Sequence, residues 1–139
     1  MPVPAEYQRA TDHFFAFLAD ARDAASLQTT NQSYTMVQGV LQTFRRRLTL
    51  ADAVRFAGVL PAVVRAVFVA DWDPAEPQRP FADRATLADE VRSLRPNHNF
   101  SPDTAIHDVA VALRKHVDEA VFDQLLATLP DGAADFWRG

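Results

Sequence analysis

Apolar residues recur along most of the chain at the three- and four-residue spacing of an amphipathic helix. The clearest run lies between positions 37 and 48, where five large apolar side chains keep this spacing without a gap. This pattern predicts a helix with one buried face. Ser33 stands where an N-cap belongs, so we expect the helix to begin there.

A second and a third helix follow directly. Thr49 is a suitable N-cap, and Leu50, Val54 and Ala57 then recur at helical spacing. Proline is tolerated in the first turn of a helix but not in its interior. The Leu60-Pro61 pair therefore predicts that one helix ends there and a short one begins.

A proline-rich segment separates this part of the chain from a similar one. Three prolines between positions 71 and 80 exclude a helix. Further helices are predicted from Thr86, after Ser101 and after Asp118, and the last long apolar run ends at Leu129-Pro130. The whole pattern predicts an all-α fold, a compact bundle of about eight helices.

The two parts match each other at an offset of 69 residues. Leu60-Pro61 pairs with Leu129-Pro130, and Arg45 pairs with Arg114. Each part has about 60 residues, which is small for an independent core, so we expect them to pack face to face around a shared core. The predicted organisation is a single domain over 1–139, built from tandem pseudo-symmetric helical repeats at 7–70 and 82–138 and a linker at 71–81.

The order of these motifs resembles that of a known family. A Phe-rich first helix precedes Leu60-Pro61, Trp72-Asp73-Pro74 introduces the second part, and Leu129-Pro130 closes it. This arrangement resembles the bacterial family catalogued as domain of unknown function 2267, over roughly residues 7–138. The resemblance implies a compact, all-helical bacterial protein. It implies no reaction, because the family has no assigned activity.

The composition excludes several kinds of chemistry. Without cysteine there is no disulfide, thiolate zinc site or catalytic thiol, and four glycines cannot build a phosphate-binding loop. No serine stands beside a histidine as a nucleophile would need. Asp103 and His107 share a helix face, but such a lone pair more often forms a surface hydrogen bond than a metal site. We expect no catalytic residue, no cofactor and no metal.

The charge and the hydropathy limit the partners. The net charge of −4 argues against non-specific nucleic-acid binding. The longest apolar stretch, 58–70, contains Pro61 and Arg65 and falls short of the ~20 residues that span a bilayer. The first residues lack the basic and apolar regions of a secretory signal. We therefore expect no membrane or nucleic-acid partner and a cytoplasmic location.

Five residues form the candidate interaction surface. Phe14, Phe15 and Phe17 cannot all face one core, so at least one of them should be partly exposed. Among the three consecutive arginines, only the middle one, Arg46, points squarely to solvent on the predicted helix. Trp72 is either a solvent-facing aromatic of a binding loop or, more in keeping with Asp-Pro turns, a staple that buries the linker.

These observations favour a non-enzymatic helical interaction or regulatory module, with a homodimer as the expected assembly. The alternative is a protein that binds a small apolar ligand between the two predicted repeats. An exposed apolar patch would favour the first hypothesis, and a fully packed interior would argue against the second.

Overall fold

The fold of residues 2–139, taken from a computed structural model, consists of helices without strands. In chain order they are α1 (Ala5–Gln8), α2 (Ala10–Ala24), α3 (Thr30–Arg45), α4 (Leu50–Ala57), α5 (Ala62–Val69), α6 (Arg84–Ser93), α7 (Ala105–Arg114), α8 (Glu119–Leu126) and α9 (Ala133–Phe136). The all-α prediction is confirmed. Residues 2–139 form nine helices instead of about eight, since α1 precedes α2 as a separate turn. The two-repeat organisation stays a prediction.

Polar caps explain where α3, α4, α6 and α8 begin. Thr49 caps α4 as predicted, its side chain accepting a backbone N–H. The prediction for α3 is wrong by four residues: Thr29 is the cap, and it forms a capping box with Gln32. Ser33 instead lies inside the helix, where its hydroxyl is buried and donates a hydrogen bond to the carbonyl of Leu18 at 2.7 Å.

The core is built around α3, which packs against α2, α5, α6 and α7. At its centre, aromatic rings from both halves of the chain fill the interior. Their centroids lie 4.7–5.9 Å apart, in tilted, stacked and edge-on pairs. The rings belong to Phe44, Phe56, Phe122, Phe136 and Trp137. Because they come from both predicted units, the two units share one core.

The described part of the chain, residues 2–139, contains no helix with the length and apolar character needed to cross a membrane.

A glycine allows α3 and α6 to approach closely. A Cβ atom on Gly39 would lie 2.8 Å from the carbonyl oxygen of Val91 and 3.1 Å from its Cγ1. The oxygen belongs to the backbone of α6 and cannot rotate away. The glycine therefore weakens α3 locally but permits the contact between the two helices.

We expect Gly39→Ala to lower the free energy of unfolding by about 1–2 kcal/mol, because the clash with Val91 exceeds the ~1 kcal/mol gain in helix propensity. Urea unfolding followed by circular dichroism measures the change. Gly58→Ala is the control, since Gly58 has an ordinary helical φ of −64° and its Cβ would meet only carbonyls of its own helix. A stabilised Gly39→Ala variant would contradict the close approach.

Candidate functional site

The linker is held against the end of α3 by hydrogen bonds to backbone carbonyls. Residues 70–83 contain no helix. The amide of Arg79 donates to the carbonyl of Arg46 at 2.8 Å, and the side-chain amide of Gln78 donates to the carbonyl of Arg47 at 2.9 Å. The last carbonyls of a helix have no partner within the helix. The linker supplies their donors and so acquires a fixed path.

An ion network ties the same helix end to α6. Arg47 donates hydrogen bonds to both carboxylate oxygens of Glu90. Arg46 and Arg79 also donate to this carboxylate, at 3.3 and 3.2 Å. Glu76 of the linker pairs with Arg46 and Arg79 as well. Burial opposes ionisation of Glu90, but the hydrogen bond and charge of Arg47, together with the other two arginines, hold its pKa below the usual 4.5.

Arg46 is therefore not the solvent-pointing residue that the helix geometry predicts. Its side chain is 21% exposed and pairs with Glu76 at 3.1 Å and with Glu90. The prediction is wrong because the linker and α6 cover the face of α3 from which Arg46 projects. Within this network the side chain of Arg79 is the most exposed, at 50%, and that of Arg47 the least exposed, at 3%.

Trp72 follows α5 at the start of the linker. It is half-buried against the core, in keeping with the interpretation as a linker staple. The guanidinium carbon of Arg45 lies 5.3 Å from the centroid of the indole ring, a cation–π contact. Nη1 of Arg45 also donates to the carbonyls of Phe68 and Ala70 at 2.9 and 3.0 Å. Arg45 thus joins the indole to the end of α5.

An apolar groove of about 510 Å³ opens beside this indole, between α1, α4 and α5. Tyr7, Val54, Val69 and Trp72 line it, and Val54 is 63% exposed. Leu50, one turn before Val54 on α4, is 58% exposed and borders Trp72 on the other side. We call these five residues the Trp72 face.

Most of this face was not predicted from the sequence. Leu50, Val54 and Ala57 were expected on one buried stripe; α4 buries Ala57 together with Ala53 and Phe56, but Leu50 and Val54 are exposed. Helix α4 is apolar on two sides, and only one of them can face the core. That surplus was visible in the sequence as two overlapping apolar stripes.

The phenylalanine cluster of α2 is divided as predicted. Phe15 is 54% exposed, and Phe14 is partly buried with its ring edge-on to Tyr34 at 6.3 Å. Phe17 is 1% exposed, so its side chain belongs to the core and cannot contribute to a surface. Phe15 does not line the groove of the Trp72 face.

The fold and this surface together define a small all-helical protein with one exposed apolar face beside a buried arginine. The chain belongs to a family described as uncharacterized conserved proteins, DUF2267, whose model matches residues 14–136. A search among curated proteins found no match. Membership therefore brings no function with it.

Replacing Glu90 tests the ion network. We expect Glu90→Gln to lower the free energy of unfolding by about 3 kcal/mol at pH 7, because it leaves the buried Arg47 without its anion. The folded-state pKa of Glu90 is depressed, so its contribution is complete above its unfolded pKa and is lost as the pH falls through the folded value. As the pH falls below 4.5, unfolding curves should therefore show a smaller loss of stability in the variant than in the unmodified chain.

Asp89→Asn provides the control on the same helix. Asp89 is 77% exposed and, among residues 2–139, pairs only with Arg92; exposed pairs contribute little. Equal destabilisation by the two variants, or an unchanged acid dependence in Glu90→Gln, would contradict the role assigned to the network.

Proposed function

We propose that this chain is a non-enzymatic interaction module that associates with a second copy of itself through the Trp72 face. The observation that carries the proposal is the pair Leu50 and Val54, which α4 presents to solvent beside the half-buried Trp72. Large apolar side chains that lie together at a surface mark protein contact sites.

The shape of the face supports a protein surface as its occupant. The groove is open and lies between three helices, and an apolar side of another helix would fill it. Tyr7 at one edge and Trp72 at the other offer apolar rings with a polar atom, the type of residue most enriched at the centres of interfaces.

The charges around the groove favour a second copy as the partner. Glu6 and Arg65 line the groove 3.7 Å apart, and Asp52 and Arg55 pair on α4 beside Val54. In a twofold dimer each residue of the face meets the equivalent surface of the other copy. A rim that carries both signs allows each acid to face a base when the two copies meet.

The alternative of an apolar ligand inside the molecule has less support. The interior between the two predicted repeats is occupied by aromatic rings in van der Waals contact, among them Phe44, Phe56 and Trp137. The exposed Trp72 face therefore favours association at the surface over binding in the interior.

Sedimentation equilibrium of the unmodified chain and of Val54→Asp tests the proposal. We expect a dimer of the 15.5 kDa chain and a dissociation constant about 100-fold higher in the variant, because each interface would bury two unpaired carboxylates. The folded monomer should keep its stability, since Val54 is largely exposed.

Val121→Asp is the matched control. Val121 is an exposed valine of α8 that lies outside the Trp72 face, so its replacement should leave the dimer unchanged. A monomer at all concentrations, or equal weakening by both variants, would overturn the proposal.

A further inference from the structure

A small cleft lies on the far side of Trp72 from the apolar groove. It has a volume of about 50 Å³ and is bordered by the end of α3, the start of α4 and the linker. Arg45, Arg46 and Glu76 contribute charge to its wall, and Leu50 and Trp72 contribute apolar surface. The cleft therefore combines a polar end with apolar sides.

Arg45 is the most unusual residue of this wall. Arg45 is almost fully buried, with 3% of the residue exposed. Both of its hydrogen bonds come from Nη1, and Nε has no partner within residues 2–139. The Nε–Nη2 edge of a guanidinium is one of the two that grip an oxyanion through parallel N–H bonds. On Arg45 this edge is not used by a carboxylate of the described chain.

The charges near Arg45 leave it without a bound anion. Burial, and then the neighbouring charge of Arg46, lowers the pKa of Arg45, and Glu76 and Asp71 only partly offset this. Glu76 is held by Arg46 and by Arg79. A buried cation is costly unless it is paired, so an oxyanion beside Arg45 would be stabilised.

The indole contacts the face of the Arg45 guanidinium and not its edge. Trp72 covers the face of the guanidinium, 5.3 Å from centroid to carbon, whereas a bidentate anion approaches in the guanidinium plane. A cleft needs roughly 10–15 Å³ to admit one water molecule, so about 50 Å³ admits a group of three or four heavy atoms. A planar carboxylate has this size.

We propose that this cleft is a binding site for a small monocarboxylate anion of the size of formate or acetate, held by the Nε–Nη2 edge of Arg45 against Trp72. Every residue that forms the site belongs to one chain, and two of them, Leu50 and Trp72, also belong to the Trp72 face. Arg46 adds positive charge at its mouth, and Leu50 contacts the short apolar end of the ligand.

The two tryptophans make a direct test possible in the unmodified chain. Trp72 and Trp137 give two indole N–H signals in a ¹⁵N spectrum, and Trp72→Phe identifies them. We expect sodium formate, titrated against sodium chloride at constant ionic strength, to shift the Trp72 signal with saturation at about 1–10 mM. The signal of Trp137, which lies in the core, should not move.

Arg45→Lys distinguishes the contribution of the paired N–H donors of Arg45 to formate binding from that of its positive charge. Lysine keeps the positive charge but has no planar pair of donors, so we expect formate to bind about 10-fold more weakly. Arg22→Lys, at an arginine of α2 that lines neither the cleft nor the Trp72 face, should bind as the unmodified chain does. An unchanged Trp137 signal shows that each variant is folded.

Several outcomes would overturn the proposal. A linear shift without saturation in the unmodified chain, or equal shifts of both indoles, would mean that no site exists. Undiminished binding by folded Arg45→Lys would remove Arg45 from the site. Tighter binding of inorganic phosphate than of formate, titrated in the same way, would contradict the assignment to monocarboxylates.

Discussion

The salt-bridge network around Glu90 is the interaction on which the arrangement of the linker depends. A proline-rich segment forms no helix and cannot hold its own path by regular hydrogen bonds. Glu90 of α6 and Glu76 of the linker form ion pairs with three arginines: Arg46 and Arg47 at the end of α3, and Arg79 of the linker itself. With these charges paired in a partly buried place, the linker lies across the end of α3 in one conformation.

The position of Trp72 follows from that constraint. The indole stands where the chain leaves α5, and Arg45 fixes it through its ring face and through the carbonyls of Phe68 and Ala70. One side of the indole then borders an apolar groove and the other a small charged cleft. The linker thus borders both surfaces: the groove is lined mostly by residues of helices, and the cleft mostly by residues of the linker.

Local features of the sequence predicted the elements well, and their partners poorly. Thr49 and Asp118 cap their helices as predicted, because a cap is a contact between residues three positions apart. The predicted cap Thr86 instead donates its amide to Asp83, which precedes it by the same three positions. Arg46 was misplaced for another reason: the acids that cover it are 30 and 44 residues away in the chain.

The sequence alone determined that this protein is all-helical, where α4 and α8 begin, and that its 139 residues carry no thiol, since these depend on residue type and short spacing. Tertiary structure decided which apolar stripe of α4 is buried and that Arg45 is enclosed while Arg46 is paired. The reason is physical. Burial and ion pairing depend on distances between segments far apart in sequence, and helical periodicity carries no information about those distances.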